Sequence, residues 1–119
     1  MEFISAEKLQ QKAVEEYNKI KDKIVNDILT IKERMAIEQQ EMPAQDPKIR
    51  AKNMSEVATG YTKEQAIVEA NRCLQCKTQP CVAGCPVSVP IPEFLAAVSK
   101  GEFKTAVDII KTTNLLPAI

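Results

Sequence analysis

A chain of 119 residues is the size of one small domain. Its sixteen basic and sixteen acidic side chains cancel, which removes the basic excess that nucleic-acid binding draws on. Histidine is absent, so a Ser–His or Cys–His pair within the chain and any imidazole ligand to a metal are excluded.

The opening, MEFISAEKLQQK, lacks the basic-then-apolar order of a signal peptide. No apolar run approaches the roughly 20 residues that span a bilayer, so no membrane partner is expected and the cytosol is the default location. Residues 1–41 read as an N-terminal helical segment. From about Ser5 to Glu41, Ala13, Tyr17, Ile20, Ile24 and Ile28 recur at spacings of three and four. Val14, Val25, Leu29 and Ile31 widen the stripe, while Glu15, Glu16, Lys19, Lys23 and Asp27 fill other positions. This pattern predicts one long amphipathic helix with Ser5 as N-cap, stopped by Pro43. Its stripe is expected to pack on the C-terminal helices, with self-association as the alternative.

Residues 42–61 read as an extended linker, with a helical turn around Ile49 to Val57. Lys48, Arg50 and Lys52 form a short basic patch there, most simply a solvated surface. Met35, Met42 and Met54 are expected to fill apolar gaps. Residues 62–119 read as a helical domain. Thr62 and Gln65 form a capping box that opens a helix to about Gln75, with Ala66, Ile67, Ala70 and Leu74 on its apolar face. A cysteine- and proline-rich loop follows. Pro92 suits the first turn of the next helix, with Phe94, Leu95 and Val98 facing inward and Gly101 at its C-terminal end. The last helix is expected from Phe103 to Thr112, burying Ala106, Val107, Ile109 and Ile110. No alternating strand pattern occurs, and the fold class is all-α.

All four cysteines lie within one short run, Cys73, Cys76, Cys81 and Cys85, followed by Pro86. The pattern C-x2-C-x4-C-x3-C-P is close to the bacterial ferredoxin run, in which the cysteine before proline ligates the other cluster of a pair. The spacing predicts the same divergence for Cys85. Thiolates are the ligands of iron–sulfur clusters, and in the cytosol grouped cysteines bind metal or carry redox chemistry more often than they form disulfides. Pro80 and Pro86 restrict the backbone around Cys81 and Cys85, and Gly84 permits close approach to a cluster. Zinc is the alternative for the same four thiols. Its four-cysteine sites usually separate two pairs by about 12 to 20 residues, whereas four residues separate Cys76 from Cys81. A helical docking domain whose cysteines hold no metal is the third reading.

The stretch from about Arg34 to Ile119, including MPAQDPKIRAKNMSEVATGYTKEQAIVEANRCLQCKTQPCVAGCPVSVPIPEF and NLLPAI, resembles the N-terminal iron–sulfur domain of the glutamate synthase small (β) subunit. The module is shared with NADH-dependent ferredoxin–NADP reductase and dihydropyrimidine dehydrogenase. The first helix lies outside the resemblance. The resemblance implies two [4Fe-4S] clusters that relay electrons between FAD and a partner's active site. It implies that Cys73, Cys76 and Cys81 ligate one cluster and Cys85 the second, with further cysteines downstream. Since the sequence stops there, it is expected to be the leading part of a longer protein. No G-x-G-x-x-G is present, and the only glycines are Gly60, Gly84 and Gly101. FAD and NADPH are therefore expected on downstream domains of the same parent chain, with a glutamate synthase large subunit as partner. No side chain is expected to act as catalytic acid, base or nucleophile.

Overall fold

The computed structural model describes residues 3–117. Helix α1 spans Ala6–Val25, α2 Ile31–Ala36, α3 Pro47–Arg50, α4 Lys63–Ala70, α5 Pro80–Gly84, α6 Ile91–Ser99 and α7 Phe103–Lys111. No strand is formed among the described residues, only an isolated bridge between Ala44 and Ala58. The fold is all-α.

Periodicity predicts one helix up to Glu41, but the chain breaks it between α1 and α2. Asp27 adopts a left-handed φ of 53°, which aspartate tolerates better than most residues. The amide of Ile28 then donates to the Lys23 carbonyl at 3.0 Å, and that of Asp27 to Ile24 at 3.1 Å. These two bonds make a Schellman ending. Thr30 opens α2 with a capping box: its hydroxyl accepts from Glu33 N–H at 3.2 Å, and the Glu33 carboxylate accepts from Thr30 N–H at 2.9 Å. Local hydrogen bonding has overridden an apolar spacing that runs on through the corner. Ser5 caps α1 as expected, accepting from the Lys8 amide.

The stripe of α1 is also narrower than its sequence. Leu9 and Ala13 are buried, whereas Val14, Val25, Ile28 and Ile31 are exposed. The buried face rests on α4. Ion pairs Lys12–Glu38 and Lys23–Glu33 tie α1 to the segment that follows it; both are surface pairs, of small energetic value.

Between residues 42 and 61 the chain closes a loop, where an extended run is expected. Gln45 N–H donates to Val57 O and Thr59 N–H to Pro43 O, both at 2.8 Å. The helical turn falls at Pro47–Arg50, earlier than the expected 49–57, because Asp46 accepts from the Lys48 amide at 2.7 Å and Pro47 occupies the first turn. Pro43 is fully buried. The methionines do not fill gaps: Met35, Met42 and Met54 are all exposed, since no neighbouring element covers them.

α4 is the central helix, contacting α1 on one side and α6 on another. Its capping box is complete, with Thr62 N–H donating to Gln65 Oε1 at 2.9 Å and Gln65 N–H to Thr62 Oγ1 at 3.3 Å. Gln65, Ile67, Val68 and Ala70 are buried, so the core face is rotated relative to the expected Ala66, Ile67, Ala70 and Leu74. The helix ends at Ala70, short of the expected Gln75, because Asn71 turns its side-chain amide onto the Ile67 carbonyl at 2.7 Å. α6 and α7 pack as a hairpin. Ala97 and Ala106 are buried, Phe94, Leu95, Val98, Ile109 and Ile110 half-buried, and Val107 exposed contrary to expectation.

The α6–α7 turn rests on Gly101, at φ 79°. Its amide donates to Val98 O and that of Glu102 to Ala97 O, both at 2.9 Å. A Cβ at Gly101 would meet only Ile67 Cδ1 and Lys63 Cε, each at 3.9 Å, so space is not the constraint and backbone conformation is. Gly101→Ala is expected to cost about 1–2 kcal/mol, read as a lower urea midpoint. Gly84→Ala, at a glycine with open space and no left-handed φ, is expected to leave the midpoint unchanged or slightly raised.

Candidate metal centre

Each cysteine is set by a local backbone device. The end of α4 delivers Cys73: the Arg72 amide donates to Glu69 O at 3.1 Å, and the Cys73 amide to Ala70 O at 3.2 Å. The chain then reverses at Gln75, whose φ is 53°, and leaves Cys76 exposed. The Gln75 side-chain amide donates to Cys73 Sγ at 3.4 Å and to Pro92 O at 3.2 Å, which links the first cysteine to the start of α6. Gln79 is again left-handed, at φ 45° and ψ 54°, and directs Pro80 into α5. Cys81 therefore sits on a short helix, where the proline-rich sequence predicts only loop.

Cys85 closes α5 as its C-cap. Ser88 N–H donates to Cys85 O at 3.0 Å, and Ser88 has φ 50°. This turn aims backbone amides at the Cys85 sulfur. The N–H groups of Val89, Val87 and Ser88 hold its thiol below the usual cysteine range, Val89 contributing most, while burial acts in the opposite direction. Hydrogen bonds to a thiolate favour the charged form.

The described residues contain four left-handed non-glycine positions, and three of them, Gln75, Gln79 and Ser88, lie in this segment. Each costs on the order of 1 kcal/mol. Such strain is retained where surrounding structure over-determines it, and sites that bind ligands are where it gathers.

All four thiols are free, with Cys73 and Cys85 half-buried and Cys76 and Cys81 exposed. Among the described residues, no three Cys, Asp or Glu side chains come close enough to hold one metal ion. The expected grouping of Cys73, Cys76, Cys81 and Cys85 is therefore seen as one segment of chain and not as an ion-sized cage. The donor set nevertheless fits an iron–sulfur group: four thiols without competing carboxylates among residues 73–92, two of them already receiving N–H donors, and none sealed from solvent. Sequence reasoning did not find Gln75 or the Val87–Val89 amides. Their only signal is position beside a cysteine, since glutamine and valine carry no turn preference.

Residues 50–119 match the family described as dihydropyrimidine dehydrogenase domain II, 4Fe-4S cluster. The chain belongs to this family. It is 36% identical over 81 residues to the glutamate synthase [NADPH] small chain of Azospirillum brasilense, covering 67% of this chain and 17% of that protein. The small chain of Halomonas elongata is 36% identical over 80 residues, covering 63% of this chain and 17% of that protein. The NAD-dependent dihydropyrimidine dehydrogenase subunit PreT of Escherichia coli K12 is 33% identical over 66 residues, covering 56% and 16%. The chain thus spans a small fraction of the length of these relatives. It is an iron–sulfur domain homologous to the glutamate synthase small chain, and its role is electron transfer. Among the described residues no helix is long and apolar enough to cross a membrane.

The amides around Cys85 make a pH prediction. A thiol whose value is lowered by folding gives stability that is present above the unfolded value, about 8.5, and that is lost as pH falls through the lower folded value. In metal-free protein carrying Ser at 73, 76 and 81, alkylation of Cys85 is expected to show a lower pH midpoint folded than in urea. Equal midpoints would remove the role of the three amides.

Proposed function

We propose that Cys73, Cys76 and Cys81 ligate one [4Fe-4S] cluster and Cys85 a second, and that the domain passes electrons between FAD and the active site of a partner. One observation carries this reading. The run C-x2-C-x4-C-x3-C-P lies inside the matched segment, and the backbone turns to the left-handed region before Cys76, before α5 and after Cys85.

When bound, such clusters take up and release single electrons. The residues of this chain supply thiolates, N–H dipoles and partial burial, the levers by which a protein sets cluster potential. Gln75 Nε2 and the amides of Val87, Ser88 and Val89 withdraw negative charge from Cys73 and Cys85, which eases reduction. Electron passage requires no proton donor at the thiolates, in keeping with a segment that carries neither carboxylate nor histidine. The assignment of Cys85 to a second cluster is supported by α5. One helical turn carries Cys81, and the chain leaves that turn in extended form at Cys85, with φ −80° and ψ 123°.

By the same reading, NADPH and FAD are held by other segments of a parent chain, and a glutamate synthase large subunit receives the electrons. The family relation supports this, since relatives named glutamate synthase [NADPH] small chain share the domain.

Anaerobic reconstitution of the chain with ferrous iron, sulfide and a small thiol tests the assignment, the thiol completing any iron that lacks a protein ligand. The expected product is brown, holds iron and labile sulfide in equal amounts, and becomes paramagnetic on one-electron reduction. Cys73→Ser, Cys76→Ser and Cys81→Ser are each expected to lose most of this iron, and Cys85→Ser to keep the first cluster. Stoichiometric zinc with no uptake of iron or sulfide would overturn the proposal. Equal losses in Cys85→Ser and Cys76→Ser would overturn the division of ligands.

A further inference from the structure

A side chain that bonds to the peptide of the first cysteine comes from before residues 50–119, at the start of the stretch that carries the resemblance. Arg34 lies in the last turn of α2, sixteen residues before the matched segment begins at residue 50. Its Nη1 donates to the Asn71 carbonyl at 3.2 Å and to the Cys73 carbonyl at 3.3 Å. Both acceptors sit just past the end of α4, where helical carbonyls lack partners and the helix dipole is negative. Arg34 and Cys73 are both half-buried, and Asn71 is almost fully buried.

A planar guanidinium suits this position, because one nitrogen bridges two carbonyls. α2 opens at the Thr30 capping box and is joined to α1 by the Lys23–Glu33 ion pair. A chain of contacts therefore runs from α1 through α2 to the peptide that carries Cys73.

We infer that Arg34 is a positioning residue for the arm that presents Cys73 and Cys76, and that its charge raises the reduction potential of the cluster bound there. The second half rests on the iron–sulfur reading given above; the first does not. Reduction adds negative charge, and a fixed, half-buried cation beside the ligand's own peptide stabilises that charge with less screening than a surface group. Residues that orient ligands typically cost 10- to 100-fold in metal affinity when lost.

Arg34→Met and Arg34→Lys separate the two effects. In metal-free chain, amide exchange is read at Arg72 and Cys73, whose N–H groups bond to Glu69 O and Ala70 O, and at Ala106 in α7 as reference. Arg34→Met is expected to speed exchange at Arg72 and Cys73 and leave Ala106 unchanged. In reconstituted chain it is expected to release iron to a chelator about tenfold faster and to lower the midpoint potential. Arg34→Lys is expected to restore most of the potential but only part of the exchange protection, since an ammonium keeps the charge without the planar geometry that aims both Nη1 hydrogens at the two carbonyls. Unchanged exchange at Arg72 and Cys73, or the same acceleration at Ala106, would overturn the positioning role whether or not iron binds. An unchanged potential in Arg34→Met would overturn the electrostatic role. A wild-type chain that takes up neither iron nor sulfide would instead overturn the cluster reading and, with it, the electrostatic role.

Discussion

The C-terminal end of α4 is the point on which the fold and the chemistry both depend. Helix α4 is capped at its start by Thr62 and Gln65 and closed at its end by Asn71, whose side-chain amide reaches the Ile67 carbonyl at 2.7 Å. Asn71 is 1% exposed. The same carbonyl also accepts the Asn71 backbone N–H at 3.1 Å, so the buried side-chain amide adds a second bond at the helix end that would be lost with it. Two residues later comes Cys73. The position of the first thiol is therefore inherited from a helix that α1 covers on one side and α6 supports on another, and Gln75 carries that registration onward to Pro92 at the start of α6.

This arrangement explains how a chain poor in aromatics reaches a defined structure. Among the described residues the buried apolar side chains are mostly small or aliphatic, Ala13, Val68, Ala70, Ala97 and Ala106 among them, and Gln65 and Asn71 are buried beside them. Small side chains let helices approach closely but bury little area each, and burial contributes only about 25 cal/mol per Å². Helix ends must then carry more of the specification. Both capping boxes, the Schellman ending of α1, the Gly101 turn and the Asn71 cap serve that end, the caps each worth on the order of 1 kcal/mol.

Much of this was legible in the sequence wherever a rule concerns neighbouring residues. The Thr62–Gln65 box, Pro92 in the first turn of α6 and Gly101 at its close all stand where their chemistry places them. Periodicity was the weaker guide. Ile28 and Ile31 continue the spacing of α1 yet lie exposed, because Asp27 and Thr30 redirect the chain between them. The four cysteines announced themselves by spacing, but the groups that act on them did not. Arg34 is remote in sequence, and the Cys85 amides belong to valine and serine, whose side chains give no sign that their N–H groups converge. Contacts made by backbone, or across 39 residues as from Arg34 to Cys73, leave no local pattern to read.

The distribution of charge around the thiols has its own logic. From Cys73 to Pro92 the only ionisable side chain besides the cysteines is Lys77. Negative charge on sulfur is therefore met chiefly by dipoles: the Gln75 side-chain amide at Cys73 and three backbone amides at Cys85. Dipoles held in place need no reorganisation when charge changes, and they bring no proton equilibrium of their own. A carboxylate near the sulfurs would oppose reduction, and a histidine would couple it to pH near neutrality. On the reading proposed above, a cluster held by these thiols would change its charge by one electron while the polar groups of a segment that carries neither stay where folding left them. That is the property an electron relay requires, and the backbone turns at Gln75, Gln79 and Ser88 would supply it.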